Sequence, residues 1–310
     1  MKIIFMGTPD FAAPCLEKLI EDGHSVELVF TREDKPVGRK KILTAPPVKE
    51  TALKYNIPVY QPKKLRDNPE AMELIEKINP DLIVVVAYGR ILPKEILEYP
   101  KYGCVNVHGS LLPKHRGSSP IQWSIVCGDK ITGVTTMLMD EGIDTGDILE
   151  VSTLPIDDTD TGGSLFDKLC VAGADLLSST IKGLEKGTIT PKKQSENDAT
   201  YAPMLTKEMG NLDFNKTATE LWWLIRGFNP WPLTYFYYNE RRFKLFDAIP
   251  QKISGHQAGE FFIKEGKAYI ACCEGTALLI KEICPDGSKK MDSAAFVNGR
   301  FIPDGTNLNK

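Results

Sequence analysis

Residues 82–87 read Leu82-Ile83-Val84-Val85-Val86-Ala87, an apolar run rich in β-branched side chains and without a polar member. A strand wet on one face alternates apolar with polar residues. A run apolar at every position therefore predicts a strand covered on both faces, as in parallel sheets packed between helices. Working outward, residues 2–6 form a similar run closed by Gly7-Thr8-Pro9, and a helical pattern follows with Leu16, Leu19 and Ile20, stopping at Gly23. Residues 26–30 read as a strand, 48–55 and 69–78 as helices, and 104–107 as another strand. Ser119-Pro120 supplies a cap and a first-turn proline for a helix. Residues 134–138 and 148–153 read as later strands, and 160–183 as a long amphipathic helix. Strands alternating with helices predict an α/β domain with a doubly wound, mostly parallel sheet.

The chain has 310 residues, 42% of them hydrophobic and 25% charged, a balance that excludes disordered and collagen-like classes. No apolar run approaches the ~18 residues of a membrane helix, and Met1-Lys2 leads directly into Ile3-Ile4-Phe5, so a cytoplasmic protein with no membrane partner is expected. Seven cysteines are scattered without CxxC pairs, which suits neither a zinc site nor a disulfide framework. A net charge of -3 is too acidic for nonspecific nucleic-acid coating, yet residues 32–41 carry Arg32, Lys35, Arg39, Lys40 and Lys41 against two acids. Such a stretch is either a solvated loop or a local grip on a polyanion.

A parallel sheet invites a dinucleotide reading, but Gly7 is followed by no second or third glycine, which argues against it. Ligands of such sheets still sit outside the carboxyl ends of the strands. There, Asn106-Val107-His108 presents an amide and an imidazole on one face, since side chains two apart share a face. A glycine- and proline-bounded loop follows, Gly109-Ser110-Leu111-Leu112-Pro113-Lys114-His115-Arg116-Gly117. An acidic loop, Asp140-Glu141-Gly142-Ile143-Asp144-Thr145-Gly146-Asp147, comes after the 134–138 strand, and Asp144 can reach His108 if the two strand ends are neighbours. Asn and His can donate to a carbonyl oxygen as it gains charge while a carboxylate orients the His, an arrangement suited to acyl transfer to an amine. The alternatives are a structural Asn-His pair, a solvated acidic turn, or a divalent-cation site built from Asp140, Asp144 and Asp147; their spacing is not that of an EF-hand, and no metal is expected. His24, His115 and His256 lack a partner pattern and read as surface or structural.

These residues resemble the 10-formyltetrahydrofolate-dependent formyltransferases: Asn106-Val107-His108-Gly109-Ser110-Leu111-Leu112-Pro113-x-x-Arg116-Gly117, with Asp144 in a Gly-Ile-Asp-Thr-Gly-Asp loop, is similar to their signature. Three more motifs, Gly7-Thr8-Pro9-Asp10-Phe11, Ala87-Tyr88-Gly89-Arg90-Ile91-Leu92-Pro93 and Phe228-Asn229-Pro230-Trp231-Pro232, resemble the branch that acts on methionyl-tRNA. The resemblance implies a Rossmann-like catalytic domain and transfer of a formyl group from 10-formyltetrahydrofolate to the α-amine of methionine on initiator tRNA, for translation initiation. It assigns Asn106 and His108 to the oxyanion and Asp144 to His108 and to proton movement. It assigns Ser110, Leu111, Leu112 and Pro113, with Tyr88, Gly89 and Ile91, to the folate. It gives Lys35, Arg39, Lys40 and Lys41 to the tRNA acceptor end, in a loop about one residue shorter than the family arrangement.

Residues 186–202 are polar and aperiodic, as in a linker. We divide the chain into a catalytic domain at 1–186, a linker at 187–205 and a carboxyl-terminal domain at 206–310. In the last, a helix at 219–228 precedes alternating segments near residues 236, 243, 261, 268 and 278, the spacing of a five-stranded OB-like barrel. From Thr206 onward 14 basic side chains face 12 acidic ones, compatible with tRNA backbone contact. Trp222, Trp223 and Trp231 read as packing residues. No protein partner is implied. Competing readings are a formyltetrahydrofolate hydrolase, a formyltransferase for a sugar nucleotide or glycinamide ribonucleotide, and a non-enzymatic RNA-binding protein. The basic loop and the barrel favour a large polyanionic acceptor.

Overall fold

The computed structural model of the chain describes residues 1–38 and 40–309. The chain divides into two units: Met1–Pro120, Ile131–Pro155 and Phe166–Ala202 form the first; Ile121–Lys130, Ile156–Leu165 and the residues from Pro203 onward form the second. Residues 187–202, polar in sequence, thus belong to the first unit.

The first unit is built on a seven-stranded sheet, in the order Ile148–Pro155, Ile131–Leu138, Cys104–His108, Leu82–Val86, Lys2–Gly7, Ser25–Phe30, Val59–Tyr60. The last five run parallel. Ile131–Leu138 and Ile148–Pro155 form an antiparallel hairpin at one edge. The reason is loop length, because residues 139–147 are too few for a parallel crossover, which needs about a dozen or more. All five residues of Leu82–Val86 are buried. Ile83 and Val85 pack with Ile4, Met6 and Phe30 on one face, and Ile3, Phe5 and Val84 are fully buried as well. Lys2–Gly7 has Ser25–Phe30 on one side and Leu82–Val86 on the other, so the strand order reverses there, and sheets of this kind bind ligands outside the carboxyl ends of their strands. Gly7 serves packing at this point: a Cβ would lie 2.6 Å from the Phe5 ring and 2.9 Å from Ala12 Cβ, where the strand meets the following helix, Ala13–Glu21.

Two features carry no periodicity and escape a sequence reading. Lys35–Val37 and Ile42–Thr44 pair as an antiparallel hairpin with every described residue exposed, so no apolar face marks it. Arg116–Gly117 pairs in parallel with Tyr201–Ala202, two residues each, too short to alternate. No helix among the described residues is long and apolar enough to cross a membrane.

The second unit contains the helix Ala218–Gly227, started by a capping box between Thr217 and Glu220 that satisfies otherwise orphan N–H groups. Its Leu221 and Ile225 join the core of a curled, OB-like antiparallel sheet ordered Thr234–Tyr238, Arg241–Lys252, Thr276–Pro285, Lys267–Cys272, Glu260–Lys264, Thr306–Asn307. The five longer strands are the ones that alternation marks; Thr306–Asn307 and Met291–Asp292 are too short to do so. Phe236 and Phe243 stack at 5.3 Å, and Phe243 and Phe261 each meet Phe296 edge-on at 6.0 Å. Trp222 packs against this core, but Trp231 is 51% exposed, which corrects its reading as a packing residue. Leu278 is fully buried among these side chains. Leu278→Ala is expected to cost about 2–5 kcal/mol through reduced transfer energy and a residual cavity. The check is the denaturant transition of this unit, and a loss below ~1 kcal/mol would mean the core closes over the gap.

Candidate active site

The strand Cys104–His108 lies between Leu82–Val86 and Ile131–Leu138, with Asn106 opposite Val85 and Met137, and His108 opposite Thr135. The two-residue period puts the Asn106 and His108 side chains on one face, and both residues are more than nine-tenths buried. His108 Nδ1 lies 3.6 Å from Asp144 Oδ2, beyond hydrogen-bond length but close enough for charge to matter in a dry site. A carbonyl can only accept, so the 3.0 Å contact of His108 Nε2 with the His115 oxygen requires a proton on Nε2 and leaves Nδ1 facing the carboxylate. Asp144 takes the left-handed conformation, φ +54°, and its Oδ2 also accepts the Gly117 N–H at 2.8 Å. Among the described residues the Asn106 carboxamide has no hydrogen-bond partner. Structure therefore joins the three residues that sequence singled out, and leaves one donor unspent.

Thr135 ties the loop after His108 to the sheet: its hydroxyl donates to the Ser110 carbonyl at 2.7 Å and accepts the Leu112 N–H at 3.1 Å. The Ser110 hydroxyl donates to the Lys114 carbonyl at 2.6 Å, so Ser110, fully buried, shapes the loop from inside. Leu112 is buried, while Leu111 and Pro113 are half-buried. Tyr88 is only 1% exposed and burial pushes its phenol up to about 12; Gly89 is exposed and Ile91 is 76% exposed. Gly89, Ile91, Leu111 and Pro113 are thus the members of the expected folate set open to solvent, with Tyr88 and Ser110 beneath.

The acidic loop spends its carboxylates separately. Asp140 Oδ1 accepts from the Thr145 hydroxyl at 2.6 Å and the Gly142 N–H at 3.0 Å, and Asp147 pairs with Lys193 at 3.6 Å. No group of three His, Cys, Asp or Glu side chains suited to a metal occurs among the described residues. Of the expected tRNA residues, Lys35, Lys40 and Lys41 are exposed and Arg39 lies outside the described residues. The same hairpin exposes Val37, Ile42 and Leu43 by 56–67%, apolar neighbours that a charge count overlooks.

Sequence reasoning missed the polar strap at residues 194–202. Thr200 accepts the Arg116 N–H on its carbonyl at 2.8 Å and the His115 N–H on its hydroxyl at 2.9 Å. Arg116, fully buried, makes a two-pronged pair with Glu196 at 2.9 and 3.0 Å, and this holds the Glu196 carboxyl below its ordinary range. Gly117, φ +117°, passes so close to the strap that a Cβ would stand 2.8 Å from the Ala202 oxygen. The only signal in the sequence is negative, a polar stretch that does not alternate.

Residues 1–181 match the formyl transferase family and residues 204–300 the formyl transferase carboxyl-terminal domain. In solved structures the fold recurs in an N-formyltransferase from Helicobacter canadensis in complex with folinic acid and dTDP-3-aminofucose, with a TM-score of 0.68 at 21% identity, covering 90% of this chain and 98% of that one. That likeness establishes the fold alone. Closer in sequence is the methionyl-tRNA formyltransferase of Lachnospira eligens, 48% identical over 317 residues and covering 99% of each chain. Its namesake from Bacillus subtilis is 47% identical over 308 residues, covering 98% of this chain and 96% of its own. The chain belongs to the formyl transferase family, and within it to the methionyl-tRNA formyltransferases.

Proposed function

We propose that the chain transfers the formyl group of 10-formyltetrahydrofolate to the α-amine of methionine on initiator tRNA, in the cytoplasm where translation starts. The observation that carries the chemistry is the unspent Asn106 carboxamide beside the His108–Asp144 pair at a strand end. In the reaction the amine nitrogen attacks the formyl carbon, the oxygen gains charge, the bond to folate N10 breaks, and the amine proton ends on N10. Asn106 and His108 donate to the charged oxygen, His108 exchanging the His115 carbonyl for it, as catalytic hydrogen bonds often tighten only with substrate. Asp144 orients His108 and assists the proton's passage. Gly89, Ile91, Leu111 and Pro113 contact the folate, with Tyr88, Ser110 and the buried Leu112 supporting them. The hairpin of Lys35, Arg39, Lys40 and Lys41 takes the acceptor end of the tRNA, and the carboxyl-terminal domain, residues 206–310, takes more of its backbone. The protein is incubated with 10-formyltetrahydrofolate and methionine-charged initiator tRNA, with free methionine, uncharged tRNA and water as controls. Formylmethionine on the charged tRNA alone is expected. Formyl loss at equal rate to water would make the chain a hydrolase.

A further inference from the structure

The Gln194 side chain spends both of its N–H donors, and its oxygen one acceptance, on the loops that frame the site. Its Nε2 donates to the Asp144 carbonyl at 2.8 Å and to the Gly146 carbonyl at 2.7 Å. Its Oε1 accepts from Arg116 Nε at 3.1 Å. A primary amide has two N–H donors, and both go to one turn. That turn holds Asp144 in a left-handed conformation that a non-glycine residue adopts only at a cost, so something must over-determine it. Asp144 in turn faces His108 and accepts the N–H of Gly117, the residue next to Arg116. One carboxamide therefore fixes both ends of a short circuit: the Asp144 turn through two carbonyls, and the 115–117 loop through Arg116. Glu196 closes the other prongs of the Arg116 guanidinium, so the segment 194–196 acts as a clamp on two loops distant in sequence.

We propose that Gln194 is a positioning residue of the formyl-transfer site, holding the Asp144 carboxylate where it can orient His108. The inference rests on the function proposed above. It differs from a packing role in a testable way, because the donors matter rather than the volume. Gln194→Met keeps the length and loses the amide; Gln194→Glu keeps the shape but turns an oxygen toward the two carbonyls. Both are expected to lower kcat by about 10- to 100-fold, as for a misplaced catalytic group, with KM for 10-formyltetrahydrofolate within about threefold.

The deciding measurement is a cycle with Asp144→Asn. If Gln194 acts through Asp144, adding Gln194→Met to Asp144→Asn costs less than about twofold more, since residues in one network do not add. Full additivity would overturn the proposal, and so would wild-type kcat in Gln194→Met. Circular dichroism and folate affinity are measured on every variant; if Gln194→Met does not fold, Gln194→Asn, which keeps the amide but falls short of the turn, replaces it in the cycle and must show the same loss and coupling. The set is scored with charged tRNA and again with hydroxylamine, a small amine nucleophile offered in place of the tRNA-borne amine. Coupling with hydroxylamine alone would leave Gln194 in place and reject the tRNA reading; absence of coupling with both rejects the inference.

Discussion

Alanine at His108 is expected to lower formyl transfer by at least about 10²-fold, and alanine at Asn106 to do the same, with little change in folding. Each substitution removes a donor aimed at an oxygen that carries charge only in the transition state, so kcat should fall more than affinity for either substrate. Asn106 makes the cleaner test. Among the described residues its carboxamide has no protein partner to lose, so Asn106→Ala should leave the melting temperature near wild type while turnover drops. His108→Ala also removes the partner of the His115 carbonyl, and a modest loss of stability should accompany the kinetic one. Asp144→Asn keeps the shape and the turn but takes away the carboxylate 3.6 Å from Nδ1. A loss comparable to His108→Ala is expected. Near-normal turnover in a folded Asp144→Asn protein would remove Asp144 from the chemistry and reduce the site to two donors.

How far the sequence carries this reading depends on how each residue takes its place. Leu82–Val86 announces itself because a strand buried on both faces must be apolar throughout, and Asn106 and His108 because a strand fixes which residues share a face. The meeting of Asp144 with His108 needs the strand order, for Ile131–Leu138 to lie beside Cys104–His108; the motif suggests it and the sheet supplies it. Gln194, Glu196 and Thr200 are illegible in the chain. They act by hydrogen bonds to residues some 50 to 85 positions away, and polar contacts of that kind leave no period. Tyr88 reads from its motif as lining the folate loop, yet its ring lies in the core with Ile4 and Phe30, a direction set by the backbone that the motif alone does not convey.

Replacing Lys35, Arg39, Lys40 and Lys41 together with alanine is expected to weaken tRNA binding by one to two orders of magnitude at low salt. The change should also flatten the dependence of affinity on salt, since every phosphate that is no longer neutralised takes about one unit from the slope of log K against log salt. Lys35, Lys40 and Lys41 are exposed, as is every described residue of the two hairpin strands, so the substitutions should cost the fold little. Folate affinity and transfer to hydroxylamine should be unchanged. A residual slope should remain, because four cations on a chain of net charge -3 do not by themselves hold a polyanion the size of tRNA, and the carboxyl-terminal domain brings 14 basic side chains of its own. Charge reversals at Arg241, Arg242 and Lys244 would divide that remainder, although these three also pair with Asp286 or its carbonyl and need a stability control. If the quadruple alanine variant kept the wild-type slope, the hairpin would be reassigned from phosphate binding to the apolar surface that Val37, Ile42 and Leu43 offer. If it abolished the slope altogether, the carboxyl-terminal domain would lose its place in tRNA binding.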